Sequence, residues 1–565
     1  MTSDDPSGAE RVLAVRVVDT LLRENYADLT ERVHVHQGSP VLRLPVDADG
    51  RYLELPLERD GFLADLRVRR TGPEIPLTLE DVRLALSTIS DPADRDGVAA
   101  FVAECRQALA AIRLRDRHPL DPRAGQTGQL IYEALAAHVP HPVYPTSESR
   151  LGFDEEDLLR YAPEYLPEFE LHWVAIPRDR LTTAGQPDRP PGWPAAADVG
   201  LPESLASTHE LLPVHPLTAR GALVTALEEA GLAAQAALAP GTALRVSPTL
   251  STRTMIVAGQ PRIHIKVPLP TSTLGLLNRR HFPPGTLEDG ALMYRVLSGI
   301  GRTDTTLSGL LLADDGTYAH ADHRYLGYLL RRIPAGLEQS RIVPVAALLA
   351  PSLGAVASGG RPLVIEELAD WAWGGDVPAL FDAYLRSLFD VHVRLFTRYG
   401  IAMESHQQNT ALVIRPGDSA PRLLLKDFDG TLIQGERLAS ALGPDAPAES
   451  AFADPRLLTK SDDALADVFI TITVHLCAGA LAFGLADRGV APLPQLLGMV
   501  RNRLADALRR HADWPAANVL RARVLDADRL PGKSMVTAGT LVAKSRTGAS
   551  DINKFYGTNG PNYLQ

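Results

Sequence analysis

Residues 401–430, IAMESHQQNTALVIRPGDSAPRLLLKDFDG, place acidic and amide side chains on two neighbouring strands and decide how the chain is read. Upstream, Phe381, Leu385, Leu388, Phe389, Leu395, Phe396 and Tyr399 recur at mostly helical spacing, and Gly400 suits the left-handed residue that ends a helix. Residues 410–414 are β-branched and apolar, Pro416-Gly417-Asp418 supplies a turn, and residues 423–425 run into Lys426-Asp427-Phe428-Asp429-Gly430. The spacing predicts a β-hairpin with Glu404, His406, Asn409 and Asp427 at one edge. Oxygen ligands so arranged suit Mg²⁺, which is held by one or two carboxylates plus substrate phosphates. The hairpin therefore points to a nucleotide. A solvated surface hairpin explains any one of these residues, but apolar flanks predict burial of the cluster, and buried polar groups need partners.

With 565 residues the chain has room for several domains and a large core. Its net charge of -11 argues against nonspecific binding to nucleic acid or to an anionic membrane. Cys105 and Cys477, the two cysteines, provide neither a disulfide framework nor a zinc pattern. MTSDDPSGAE, at the N-terminus, lacks the basic start and apolar core of a signal peptide. The most apolar helical stretch, residues 474–486, is interrupted by His475, Gly479 and Gly484 and reads as too short to span a bilayer. These features predict a cytoplasmic protein with small-molecule partners.

Residues up to about 120 read as mostly helical, with a strand-like insertion at 41–62. Prolines in residues 137–164, AHVPHPVYPTSESRLGFDEEDLLRYAPE, force an extended path past His138, His141 and Arg150, which can line an anion site or simply connect elements. His209 and His215 lack the spacing and third ligand of a zinc site. In residues 247–280, SPTLSTRTMIVAGQPRIHIKVPLPTSTLGLLNRR, one strand is expected over 250–257 and a return strand over 262–267. Alternation then puts Arg262, His264 and Lys266 on one face. Ser251, Arg253 and Thr254 supply hydroxyls and a guanidinium suited to triphosphate oxygens, and Lys266 adds a point charge. Thr271, Ser272, Arg279 and Arg280 add anion-binding capacity and suggest a carboxylate beside the phosphates. Residues 309–358 read as helical, with Arg331 and Arg332 on a solvated surface. Helices are expected over 465–485 and 493–511, and Lys533, Lys544 and Arg546 either reach back to an anionic site or are solvated. No GxxxxGK[ST] loop is present.

Two nucleotide-binding readings follow. A strand hairpin, a lysine on the next strand, then Glu404-x4-Asn409 and Asp427-Phe428-Asp429-Gly430, share the logic of a kinase-like phosphotransferase. That reading lacks a GxGxxG loop and a catalytic Asp in the usual place. A binding protein without turnover is a third class, at odds with Lys266, Glu404, Asn409 and Asp427 standing together.

The second reading comes from resemblance. HVPHP (138–142), SRLGF (149–153), YAPEY (161–165), HELLPVHP (209–216), STRT (251–254), HIKVPL (264–269), ESHQQN (404–409) and KDFDG (426–430) together resemble the aerobactin-synthetase or IucA/IucC family, siderophore synthetases independent of nonribosomal peptide synthetases. The resemblance implies ATP-dependent adenylation of a carboxylic acid, citrate or a citrate derivative, followed by amide formation with an amine or hydroxylamine and release of AMP and pyrophosphate. It implies a mixed α/β (α+β) cupped hand, with a helical thumb (1–165), β-rich fingers (166–330) and a largely helical palm (331–565). It assigns Ser251, Arg253, Thr254, Lys266, His138, Arg150, Asn409 and Asp427 to ATP, and Glu404, Asn409 and Asp427 to Mg²⁺. Thr271, Ser272, Arg279 and His406 are assigned to the carboxylate. Lys266, Arg253 and His406 become the candidate catalytic groups, and a homodimer is compatible with the family. Departures from the family pattern are Glu148 before SRLGF, Lys426 before DFDG, HPLT at 215–218 and the spacing of TSTLGLLNRR. The last leaves 2-oxoglutarate or a preformed citryl monoamide open as the acid.

Overall fold

Thr410–Ile414 and Arg422–Leu425 pair antiparallel, Thr410 opposite Leu425 and Val413 opposite Arg422, so the expected hairpin forms. The chain here is a computed structural model that describes residues 6–47, 50–70, 75–120, 128–185, 189–353, 362–549 and 554–565. The helix Val377–Tyr399 leads into the hairpin. Asp376 caps its start by accepting the Ala379 N–H, and Gly400 closes it at φ 63°, in the left-handed region. Phe381, Leu385, Leu388, Phe389 and Phe396 of this helix are all buried in the largest apolar cluster. Arg341–Pro344 joins one side of the hairpin antiparallel and Leu310–Leu312 the other side in parallel, making four strands.

Above this small sheet lies a nine-stranded one. Its order runs Thr182–Ala184, Asp314–His320, Gly327–Arg332, Gln260–Lys266, Thr254–Val257, Ala243–Pro248, Phe169–Pro177 and His209–Val214, with Ala237–Leu238 also paired to Phe169–Pro177. The helical reading of 309–358 is thus wrong over most of its length. Its described part holds four strands, because Tyr328, Leu329 and Leu330 are buried on both faces of a sheet and carry no period that separates strand from helix. Residues 354–358 lie outside the described residues. The strand expected over 250–257 is also shorter. It begins at Thr254, and the preceding loop turns back through Thr252 at φ 64°.

At the N-terminus, helices Pro6–Arg23, Leu79–Ile89 and Arg95–Arg117 pack on a sheet of Val33–His36, Ser39–Pro45, Tyr52–Arg59 and Leu66–Val68. The C-terminal part returns to this layer: Glu24 accepts the Val536 and Thr537 N–H groups at 3.0 and 2.8 Å. That return brings the strand Arg529–Lys533 towards the hairpin.

One helical stretch, Asp462–Asp487, has the length and apolar content to cross a membrane, which corrects the shorter stretch expected at 474–486. His475, Gly479 and Gly484 do not interrupt it. Both ring nitrogens of His475 are engaged, by Tyr563 Oη at 2.8 Å and the Pro531 carbonyl at 3.0 Å, while Gly479 admits Tyr563 and Gly484 admits Leu349. Of its most apolar window, 89% is buried inside the protein.

His215, His392 and His475 are at most 3% exposed. Burial pushes their pKa values down, to about 3 for His215 and about 4 for the other two. An unfolded chain protonates them near 6.5, so it binds more protons than the folded chain below that pH. Stability is therefore full above about pH 6.5 and falls as the pH drops towards 4, each histidine removing about 2 kcal/mol by pH 5. Thermal unfolding across pH 7.5 to 5 should show a steadily falling Tm, with these three histidines contributing about three protons to the uptake on unfolding. A Tm unchanged down to pH 5 contradicts this.

Candidate functional site

The strand Gln260–Lys266 brings its lysine to the hairpin. Lys266 is 1% exposed and forms an ion pair with Asp427, with Asp429 Oδ2 at 3.8 Å. Asp427 sits at φ 69°, a conformation that costs a residue other than glycine energy and must be held by its surroundings. The hold is visible: its N–H donates to Asp315 Oδ2 at 3.0 Å, and Arg331 Nη2 lies 3.4 Å from its carboxylate. Arg331 in turn grips Asp315 through two bonds of 2.5 and 2.7 Å, with both side chains buried. The expectation of a solvated Arg331 is corrected by this pair. As a strand residue it sits opposite His264 and faces the neighbouring carboxylates. Arg332, half-buried, donates to Thr317 Oγ1.

Burial would raise the Asp427 carboxyl, yet Lys266, Arg331 and Arg253 more than offset it and hold the group well below the usual carboxylate range. Asp429 moves the other way, raised by burial and by the adjacent Asp427 charge despite Lys266. Arg331 is held above its ordinary value because Asp315 and Asp427 outweigh its burial. Two neighbouring carboxylates with opposite shifts, flanked by buried cations, form a site poised for a charged ligand.

The loop between Ala243–Pro248 and Thr254–Val257 carries the hydroxyls. Ser251 Oγ and Thr254 Oγ1 are 3.2 Å apart, and Arg253 Nη1 donates to the His281 carbonyl at 2.8 Å. Burial lowers the Arg253 pKa, partly countered by Asp427 and Asp429. Arg150 braces the loop, donating to Thr252 Oγ1 at 3.1 Å and to both oxygens of Glu164 at 2.6 and 2.8 Å. His138 Nε2 meets the Glu164 carbonyl at 3.1 Å. His138 and Arg150 therefore support the loop from behind through Glu164.

His406 accepts the Gln408 N–H on Nδ1 at 3.3 Å and has Nε2 3.4 Å from Asn409 Nδ2. Burial, then the charge of Lys533, pushes its pKa to about 4. The ring is neutral at ordinary pH. Lys533 Nζ lies 3.8 Å from Glu404 Oε1, so the C-terminal strand delivers a cation that the sequence reading left between two roles. Glu404 also lies over Gly430, where an added Cβ would collide with Oε2. The structure thus brings Glu404, His406, Asn409 and Asp427 to one place, beside Lys266 and Arg253.

Three of the residues assigned to the carboxylate stand elsewhere. Thr271 Oγ1 donates to the Leu151 carbonyl at 2.7 Å, tying the loop to the segment after Arg150, and Ser272 Oγ donates to the Leu276 carbonyl at 2.8 Å within the loop. Arg279 is exposed, and Arg280 takes the inward place. Its Nε donates to Thr273 Oγ1 at 2.5 Å, and burial followed by the charge of Arg253 lowers its pKa to about 10. Arg331 and Asp315 thus join the set first drawn from sequence, in which Arg280, Lys533 and Asp429 were already named without a settled role.

Among the described residues no group of three or more His, Cys, Asp or Glu side chains is arranged to hold a metal. The adjacent carboxylates of Asp427 and Asp429, with Glu404 over Gly430, instead fit an ion such as Mg²⁺ that takes one or two protein carboxylates and completes its shell with substrate oxygens.

The family described as the IucA / IucC family matches residues 132–350, and the one described as Ferric iron reductase FhuF-like transporter matches residues 378–547. Aerobactin synthase of Escherichia coli is 27% identical over 369 residues, 59% of this chain and 62% of that protein. Residues 132–350 of the chain are thus similar to the IucA/IucC family. The fold of the chain is similar to that of several solved structures. The petrobactin biosynthesis protein AsbB of Bacillus anthracis superposes with a TM-score of 0.78 at 17% identity, over 100% of this chain and 96% of AsbB. ATP-bound aerobactin synthetase IucA of Klebsiella pneumoniae gives 0.69 at 17% identity, over 98% and 99% of the two chains. In sequence, the match to the E. coli synthase spans less than two thirds of that relative's own length.

The two neighbouring arginines separate by position. Titration with citrate, a carboxylate probe, should show Arg280→Ala weakening binding by about tenfold or more, the scale of a lost hydrogen bond to a charged group, and Arg279→Ala changing it by less than about twofold. Equal effects of the two substitutions contradict the inward placement of Arg280.

Proposed function

We propose that the chain is an ATP-dependent carboxylate–amine ligase of siderophore biosynthesis. It would adenylate a carboxylic acid, with citrate or a citrate derivative favoured, and condense the adenylate with an amine or hydroxylamine, releasing AMP and pyrophosphate. The observation that carries this reading is the convergence of Lys266, Arg253 and Arg280 on the Asp427–Asp429 pair at the meeting of two sheets. The match of residues 132–350 to the IucA/IucC family and a fold shared with an ATP-bound synthetase support it.

In this reading Ser251, Arg253, Thr254 and Lys266 bind the triphosphate, and Lys266 exchanges Asp427 for phosphate oxygen. Arg280 and Lys533 hold the carboxylate substrate for in-line attack on the α-phosphorus, so that positioning and fixed charge supply most of the rate. Glu404, Asn409 and Asp427, with Asp429, would hold Mg²⁺, whose contribution when bound is to offset charge on the phosphates. His406, neutral at working pH, can accept a proton from the incoming amine or hydrogen-bond the carboxylate.

Purified protein with Mg²⁺ should exchange pyrophosphate into ATP only when the right acid is present, and citrate, 2-oxoglutarate, succinate and a citryl monoamide are the acids to compare. Exchange with one of them identifies it. No exchange, with ADP formed on addition of acceptors, contradicts the ligase and favours a kinase-like phosphotransferase. Lys266→Met should cut exchange by about a hundredfold or more while circular dichroism stays unchanged. Glu404→Gln should raise the Mg²⁺ concentration needed for half-maximal exchange, and an unchanged Mg²⁺ titration contradicts its ligand role.

A further inference from the structure

Glu133 lies on the helix Gln129–Ala136 and is fully buried. Its carboxylate faces two ways. Oε1 accepts Lys426 Nζ at 3.0 Å, and Oε2 accepts the backbone N–H of Leu250 at 3.1 Å. Leu250 immediately precedes Ser251, so one carboxylate is bonded both to the loop carrying Ser251, Arg253 and Thr254 and to the residue before Asp427. Gln129, one turn earlier, adds its side-chain amide at 3.5 Å.

The loop is held at its far side by Arg150 on Thr252 and closed on itself by Thr249, whose N–H and hydroxyl both reach the Thr254 carbonyl at 2.9 and 2.8 Å. Lys426 N–H bonds the Asn409 carbonyl at 3.1 Å, so its backbone belongs to the hairpin. These contacts fix the loop and the hairpin each within its own neighbourhood, while Glu133 ties the near end of the loop to the hairpin.

A buried ion pair seldom adds stability over apolar groups of similar volume, because desolvation of both charges opposes their attraction. Its value lies in fixed geometry. We propose that Glu133 is a positioning residue for the nucleotide. By bonding Leu250 N–H and Lys426 together, it sets the distance between the phosphate-binding loop and Asp427. This proposal rests on the ATP-dependent reading given above. Glu133 touches no reacting atom in it and acts through Leu250 and Lys426.

The test compares the ATP KM and kcat of acid-dependent pyrophosphate exchange in two variants. Glu133→Asp keeps the charge but withdraws the carboxylate by one methylene, and it should raise the ATP KM several-fold with little change in kcat or Tm. Combined Glu133→Met and Lys426→Met replaces the pair by apolar groups. It should hold Tm within a few degrees of wild type and raise the ATP KM tenfold or more. If the double variant does not fold, Glu133→Asp alone decides. A wild-type ATP KM in folded Glu133→Asp overturns the proposal, as does a loss confined to kcat. Absence of exchange in the wild-type protein instead overturns the ligase reading, and the two failures are thereby distinguished.

Discussion

The ion pair between Lys266 and Asp427 joins the nine-stranded sheet to the four-stranded one, and the rest of the site is arranged around it. Lys266 comes from a strand inside the larger sheet and Asp427 follows the end of a hairpin strand, so their backbones are anchored in different sheets. Such a buried pair is poor evidence for stability, since desolvation of both ions opposes their attraction. Its surroundings add to the cost: Asp427 holds an unfavourable backbone conformation, and Asp429 is pressed against it. Backbone strain and unlike charge shifts gathered at one point are features that cluster at ligand sites.

Around the pair, support comes in layers. Asp315 and Arg331 fix Asp427 from within the larger sheet, while Arg150 and Glu164 fix the Thr252 turn from outside. Glu404 and Lys533 draw the C-terminal strand to the same place, so residues far apart in sequence complete it. Rigid support of this kind keeps cations and carboxylates at fixed separations before any ligand arrives, which is the physical content of electrostatic preorganisation. The neutral His406 ring adds a group that can exchange protons without first losing one to solvent.

Much of the hairpin was legible in the sequence because local chemistry determines it. Pro416-Gly417-Asp418 can only turn, Gly400 can end a helix where other residues are strained, and the alternation of Arg262, His264 and Lys266 settles which face the lysine takes. Arg331 was misread because the run Tyr328-Leu329-Leu330 is buried on both faces and leaves no period to mark a strand; once it is a strand, the arginine must face either core or carboxylate. Arg279 and Arg280 could not be separated by type, since their facing depends on a loop in which Leu274 and Gly275 both take positive φ. The hydroxyls of Thr271 and Ser272 looked available for a ligand, but Ser272 bonds a carbonyl of its own loop and Thr271 the carbonyl of the distant Leu151, a contact that no local pattern encodes. Asp315 likewise needed a long-range contact, and a long-range contact with Glu404 decides between the two roles left open for Lys533.

The most direct test of this account is a crystal structure with Mg²⁺ and a nonhydrolysable ATP analogue. The account predicts triphosphate oxygens within hydrogen-bonding distance of Lys266, Arg253 and the Ser251 hydroxyl, with the Lys266 ammonium moved from Asp427 to phosphate. A different position would contradict it. The clearest contradiction would be nucleotide in the separate cavity of about 560 Å³ lined by Tyr132, Arg262, Leu337 and Arg341, with the Lys266–Asp427 pair intact.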